Sequence, residues 1–167
     1  MGGRLGPVCD WLAGTSLSHT IQAIDWVIPA VQTVHILCVG VLFSSAVLVD
    51  LRLLGLLGKR LPLYDVAQRH FPIIWPVLIV LLITGSILII GEPRRSLGNF
   101  TFYLKMALLA VAIVVTIALQ KSISRSPHLW DRNPGRRRVG RIGACFSMLV
   151  WCGILFAGRW IAYTQVD

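Results

Sequence analysis

Three ionisable side chains stand inside otherwise apolar stretches of this 167-residue sequence: His35, Lys105 and Arg159. An ionisable group at membrane depth is costly, and by default it marks a functional site. His35 lies eight positions after Val27, about 12 Å along a helix. An imidazole at that depth, with two cations nearer the surface, has the composition of a haem b site. His35 would be an axial ligand, and Lys105 and Arg159 would pair with the propionates. The same cluster suits a quinone headgroup or another anionic small molecule. Gln32 and Cys38 lie about one turn to either side of His35, on a similar face. Gly85, between Thr84 and Ser86, lets a neighbouring helix come close. The cofactor-lining candidates are therefore His35, Lys105, Arg159, Gln32 and Gly85. No second span supplies another deep histidine, so the other axial position falls to His19, Met106, water or a partner chain.

Each candidate also has a plainer account. Lys105 and Arg159 sit near span ends and can snorkel to the headgroups. His35 is too short for that, and its plain role is a hydrogen bond to a neighbouring helix. His70, beside Arg69, and His128, in a basic loop, read as solvated. The cysteines at 9, 38, 145 and 152 form no C-x2-C pair, and Cys38 and Cys152 read as small apolar fillers. No phosphate-binding glycine loop, nucleophile elbow or H-E-x-x-H motif occurs. The apolar stretches carry no carboxylate, which argues against an Asp/Glu proton relay. Met- or His-rich clusters of the kind a copper site needs are absent too.

The elements that must position these groups are membrane helices. The chain is 56% hydrophobic and only 14% charged, against about 25% charged in a soluble domain. Four stretches reach the roughly 20 residues needed to cross a bilayer. They span about 26–49, 71–91, 100–120 and 142–163. They are too long and too uniformly apolar for strands, and helices satisfy their own backbone groups in lipid. Pro72 and Pro76 then fall in the first turns of the second span, where a missing N–H costs little. The fourth span carries small residues at four-residue spacing: Gly140 and Ala144, Gly143 and Ser147, Gly153 and Ala157. Such a face packs closely, within the bundle or against a partner. Residues 1–25 do not read as a cleavable signal, because Asp10 interrupts the apolar run. Val8, Trp11, Leu12, Leu17, Ile21, Ile24 and Ile28 instead follow helical spacing, as in an amphipathic helix lying on the membrane surface. The expected fold is all-α: an integral membrane four-helix bundle (26–163) preceded by an N-terminal amphipathic interfacial helix (1–25).

Lys and Arg outnumber Asp and Glu 16 to 7, a net charge of +9. In a soluble protein that would point to nucleic acid. Here the cations gather in loops, and a nucleic-acid partner is not expected. Arg52, Lys59, Arg60 and Arg69 flank the first loop. Lys121, Arg125, Arg132, Arg136, Arg137, Arg138 and Arg141 mark the third, and the second has only Arg94 and Arg95. The positive-inside rule places the first and third loops in the cytoplasm and both termini outside. In a bacterial inner membrane both termini would be periplasmic. Trp26, Tyr103, Trp160 and Tyr163 would form an outer aromatic belt, with Trp75 at the inner boundary. Asp50 and Arg52, at the inner end of the first span, read as an acid–base pair seating the first loop, with a cation from the third loop as the other candidate partner for Asp50.

Several stretches together resemble a small bacterial four-helix membrane family of unknown function. They are WLAGTSLS (11–18), PAVQTVHILCVG (29–40), DLRLLG (50–55), Thr84-Gly85, Phe102 with Lys105, and Gly158-Arg159. They cover nearly the whole chain, and DLRLLG is the most specific. The histidine in the first helix, the Thr-Gly in the second and the lysine opening the third also resemble the membrane domain of copper-resistance protein D. In the same way the chain is similar to small haem-binding membrane proteins. The resemblance singles out His35, Lys105 and Arg159, and implies a haem or, less directly, a copper role.

Three functions follow as expectations. The first is a small cytochrome-like or quinone-linked subunit that passes electrons between periplasmic or membrane redox subunits and the bilayer. The second is a non-catalytic assembly subunit of a larger complex. The third is a copper-handling permease.

Overall fold

A computed structural model describes residues 6–57, 62–125, 130 and 133–160. Four long helices dominate it: α3 (Val27–Leu54), α4 (Leu63–Gly91), α6 (Phe100–Arg125) and α7 (Pro134–Trp160). All four are long and apolar enough to cross a membrane. The chain has the make-up of a multi-pass protein suited to a lipid bilayer. Three short helices join them at one end: α1 (Gly6–Ala13), α2 (Ser16–Gln22) and α5 (Pro93–Leu97). No strand occurs among the described residues. The four long helices close into a ring, in which α3 packs on α4 and α7, and α6 on α7 and α4. The core is filled by Leu42, Val49, Ala67, Phe71, Ala112 and Ile154, among others.

Local chemistry sets the helix ends. α3 stops at Gly55, the one described residue with positive φ, at 77°. Its N–H reaches back to the carbonyls of Arg52 and Leu51, a left-handed termination that glycine adopts without strain. α7 opens with Asn133 as its cap, followed by Pro134 at the first position. Asn133 Oδ1 accepts from the N–H groups of Gly135 (2.9 Å) and Arg136 (3.4 Å), and the proline loses nothing where no N–H partner exists. Asn99 serves α6 in the same way, accepting from Thr101 N at 2.9 Å.

Several helices outrun the apolar stretches. α4 starts at Leu63, so Pro72 and Pro76 lie inside it and not in its first turns. They leave the carbonyls of Gln68 and Pro72 without their usual helical donors. α7 starts at Pro134 and takes in Arg136–Arg138 and Arg141, and α3 runs on through Asp50. The reason is that apolarity is needed on one face only at the water-facing ends. Leu63, Ala67, Phe71 and Ile74 keep a buried stripe going while Asp65, Gln68 and Arg69 stay exposed. Asp50 and Asp65 therefore lie on the long helices but beyond the apolar stretches read from the sequence. Tyr163, His128, Lys59, Arg60 and Arg132 fall outside the described residues.

The N-terminal segment forms two helices, not one. Thr15 breaks it, capping α2 by accepting from Ser18 N at 3.3 Å. α2 then docks on the last turn of α4. Ser18 Oγ donates to the Ile90 carbonyl (2.8 Å) and Gln22 Nε2 to the Gly91 carbonyl (2.8 Å). Those carbonyls belong to the last turn, where a helix has no N–H donors of its own to offer them, and Pro93 prevents its continuation. α2 thus caps α4 from outside. Val8, Trp11 and Leu17 remain exposed beside this contact.

The small residues of α7 are used inside the bundle. Gly140, Ala144, Ser147 and Ala157 are all buried. A Cβ at 140 would come within 2.8 Å of the Trp130 ring, so only glycine admits that indole. Trp130 Nε1 also donates to the Ser122 carbonyl at 3.2 Å, tying this indole to the last turns of α6. Trp75 is more than an interfacial ring, since its Nε1 donates to Gln120 Oε1 at 3.1 Å and links α4 to α6. Cys152 is exposed on the outside of α7 and is not a core filler, whereas Cys38 does pack against the core.

Candidate functional site

The end of the bundle that carries α2 gathers the polar positions. His35 is eight residues into α3, Thr84 seven before the end of α4, Lys105 five into α6, and Gly158 two before the end of α7. Their depths along the helices are about 12, 10, 8 and 3 Å. The spans run alternately up and down, which brings all four positions to the same end.

His35 and Thr84 are in direct contact, with Nδ1 and Oγ1 2.8 Å apart. The hydroxyl fixes the direction of this bond. Thr84 Oγ1 has one proton and two backbone acceptors, the Val80 carbonyl at 2.8 Å and the Leu81 carbonyl at 3.3 Å. With that proton given to its own helix, the oxygen is left as an acceptor, and His35 Nδ1–H donates to it. The ring is then the Nδ1–H tautomer, and its lone pair is on Nε2. Gly85 lies against the same ring, since a Cβ there would sit 3.6 Å from His35 Cε1, an ordinary contact distance. A larger side chain would have to displace the imidazole.

Lys105 completes the group. Its charge acts on the His35 imidazole. Its stem runs across Gly158, where a Cβ would meet Cε and Nζ at 3.8 Å. The glycine of the Gly158-Arg159 pair thus has a packing role, and the arginine beside it is exposed. Gln32 is exposed as well and is not part of the His35–Thr84 hydrogen bond. Neither candidate for a second axial ligand joins this group: Met106 is 40% exposed on α6 and His19 is exposed on α2. Among the described residues, no three His, Cys, Asp or Glu side chains converge to hold a metal ion.

The sequence therefore identified His35, Gly85 and Lys105 as neighbours but missed Thr84 as the orienting partner. Its adjacency to Gly85 was a weak signal, because a threonine in a helix usually bonds only its own backbone. His70 departs from expectation in the other direction: it is half-buried, with Nδ1 enclosed and unpartnered. Asp50 is not paired with a loop cation through both oxygens. It is 1% exposed and bonded to Ser147. An open cleft of about 640 Å³ lies above the His35 level, lined in part by Gln22, Asp25, Ile28, Gly91 and Glu92.

A family model described as a family of unknown function, DUF6644, matches residues 11–164. No curated protein and no solved structure matches the chain. The chain belongs to that family, which carries no assigned activity.

Proposed function

We propose that this family member is a small membrane electron-transfer subunit that holds a haem through His35. The supporting observation is the hydrogen bond between His35 Nδ1 and Thr84 Oγ1. A ligating histidine characteristically donates its other ring N–H to a fixed acceptor, which sets the tautomer and the ring plane and raises ligand basicity. Here the acceptor is set by α4, and Nε2 is left with the lone pair that an iron would take. Lys105, alongside, suits a propionate. A haem on one histidine has a second axial position, for which water or a partner subunit is the candidate. In this reading the chain works within a bacterial inner membrane, with the His35 end facing the periplasm and its redox subunits.

The quinone reading is favoured by one specific observation, the placement of Lys105 at the same end of the bundle as the imidazole. A quinone carbonyl that gains electron density would be stabilised by Lys105 Nζ, with His35 Nε2 accepting from the hydroxyl of the reduced form. The assembly reading draws less support, because the small residues of α7 are spent on packing inside the bundle. The copper reading lacks a converging ligand set among the described residues.

An absorption spectrum of the detergent-solubilised protein tests the proposal. A Soret band that His35→Ala abolishes or shifts supports haem. Quinone recovered by solvent extraction from wild type, but not from His35→Ala, supports the quinone reading. Protein with neither, isolated from cells supplied with haem precursors, overturns both.

A further inference from the structure

Two buried side-chain atoms have no hydrogen-bond partner among the described residues: Asp50 Oδ2 and His70 Nδ1. They lie far from His35 but at one level. The His35–Thr84 contact sets the register of the antiparallel helices α3 and α4. Asp50 is 15 residues further along α3 and His70 is 14 residues back along α4, rises of about 22 and 21 Å. Asp50 is 1% exposed, and its carboxyl is hydrogen-bonded to Ser147 of α7. Leu53 on α3 and Ala67 and Phe71 on α4, buried residues near the two in sequence, are apolar. His70 is half-buried, with one ring nitrogen enclosed. It therefore connects the interior with the surface.

A carboxylate removed from water without a counter-charge costs several kcal/mol. The charged groups at this end do not supply one to Asp50 Oδ2. Among the described residues, Arg69, Lys121, Arg125, Arg137, Arg138 and Arg141 are exposed, Arg52 and Arg136 are half-buried, and none of them is hydrogen-bonded to Oδ2. The missing positive charge is a proton or a metal ion. A metal ion needs several ligands, and no group of three converges here among the described residues. A proton needs only one oxygen.

We propose that Asp50 is an exchangeable proton-binding site between α3 and α7, served by His70 as the shuttle to the aqueous surface. The two atoms are not bonded to each other, and in the proposed route a water bridges them. That water takes the proton from His70 Nδ1 and gives one of its own to Asp50 Oδ2. The imidazole first takes a proton from solvent at Nε2, so the Nδ1–H it then releases leaves a neutral ring: one N–H bond forms, the other breaks, and an O–H bond forms on Asp50. Ser147 Oγ–H holds the first carboxyl oxygen, leaving Oδ2 as the titrating atom. The site does not depend on any cofactor at His35.

Infrared difference spectroscopy of the full chain in lipid nanodiscs, on transfer from H2O to D2O at neutral pH, tests this. The wild type should show the carbonyl stretch of a neutral carboxylic acid, sensitive to deuteration, and Asp50→Asn should lack it. His70→Gln should keep the band but slow its deuteration by about a hundredfold. If Asp50→Asn does not fold, Ser147→Ala serves instead, and must shift the band by removing its donor. Absence of the band in wild type overturns the proposal, as does its loss on adding sodium ions. A band unmoved by Ser147→Ala, or a wild-type exchange rate in His70→Gln, overturns it as well.

Discussion

Thr84 contributes one proton acceptor, and its effect is transmitted through His35. Thr84→Val keeps the shape and removes the acceptor. Under the proposed function it should weaken cofactor binding by about 10- to 100-fold, read by titrating the apoprotein, while Thr84→Ser should restore it. Gly140 allows a test that depends on no ligand. Gly140→Ala places a Cβ within 2.8 Å of the Trp130 ring and should destabilise the protein by about 1–3 kcal/mol. Gly143→Ala meets nothing within 4 Å and should leave thermal unfolding in detergent nearly unchanged. Sequence spacing paired both glycines with small residues in the same way, and only the position of Trp130 separates them.

At the scale of the elements, α2 functions as a cap. The last carbonyls of α4 need donors, and Ser18 and Gln22 supply them from a separate helix. Ser18→Ala should cost about 1–2 kcal/mol and speed hydrogen exchange of α2 and of the final turn of α4, leaving the middle of α4 protected. Equal protection in the variant would mean that α2 is held by its apolar contacts alone. The amphipathic spacing of residues 8–28 correctly indicated helix. It could not show the break at Thr15, because that break depends on a side-chain cap competing with helix continuation. The helix ends were misjudged for a related reason. Charge at a helix terminus is compatible with one buried face, so α4 begins eight residues before the apolar run suggests.

For the molecule as a whole, four alternating spans place both ends of the bundle chain on one side. The α5–α6 junction lies on that side, and the α3–α4 junction on the other. With a cysteine-free background, Gly98→Cys and Leu56→Cys should react oppositely with a membrane-impermeant thiol reagent in intact cells. Both positions are exposed. The charge bias of the loops predicts labelling at 98 and none at 56, and the reverse pattern would invert the orientation and the side on which His35 opens.

The sequence by itself determined that the chain is helical, that four of its stretches are apolar enough to cross a membrane, and that His35 and Lys105 lie at similar depths. These are properties of composition and of helical rise, which act along one chain segment at a time. Which groups meet depends on the rotation and register of neighbouring helices. A difference of one residue turns a side chain by about 100°. Only the packed bundle therefore decided that His35 faces Thr84, that Lys105 crosses Gly158, and that Asp50 turns inward to Ser147 and away from the loop cations that follow it.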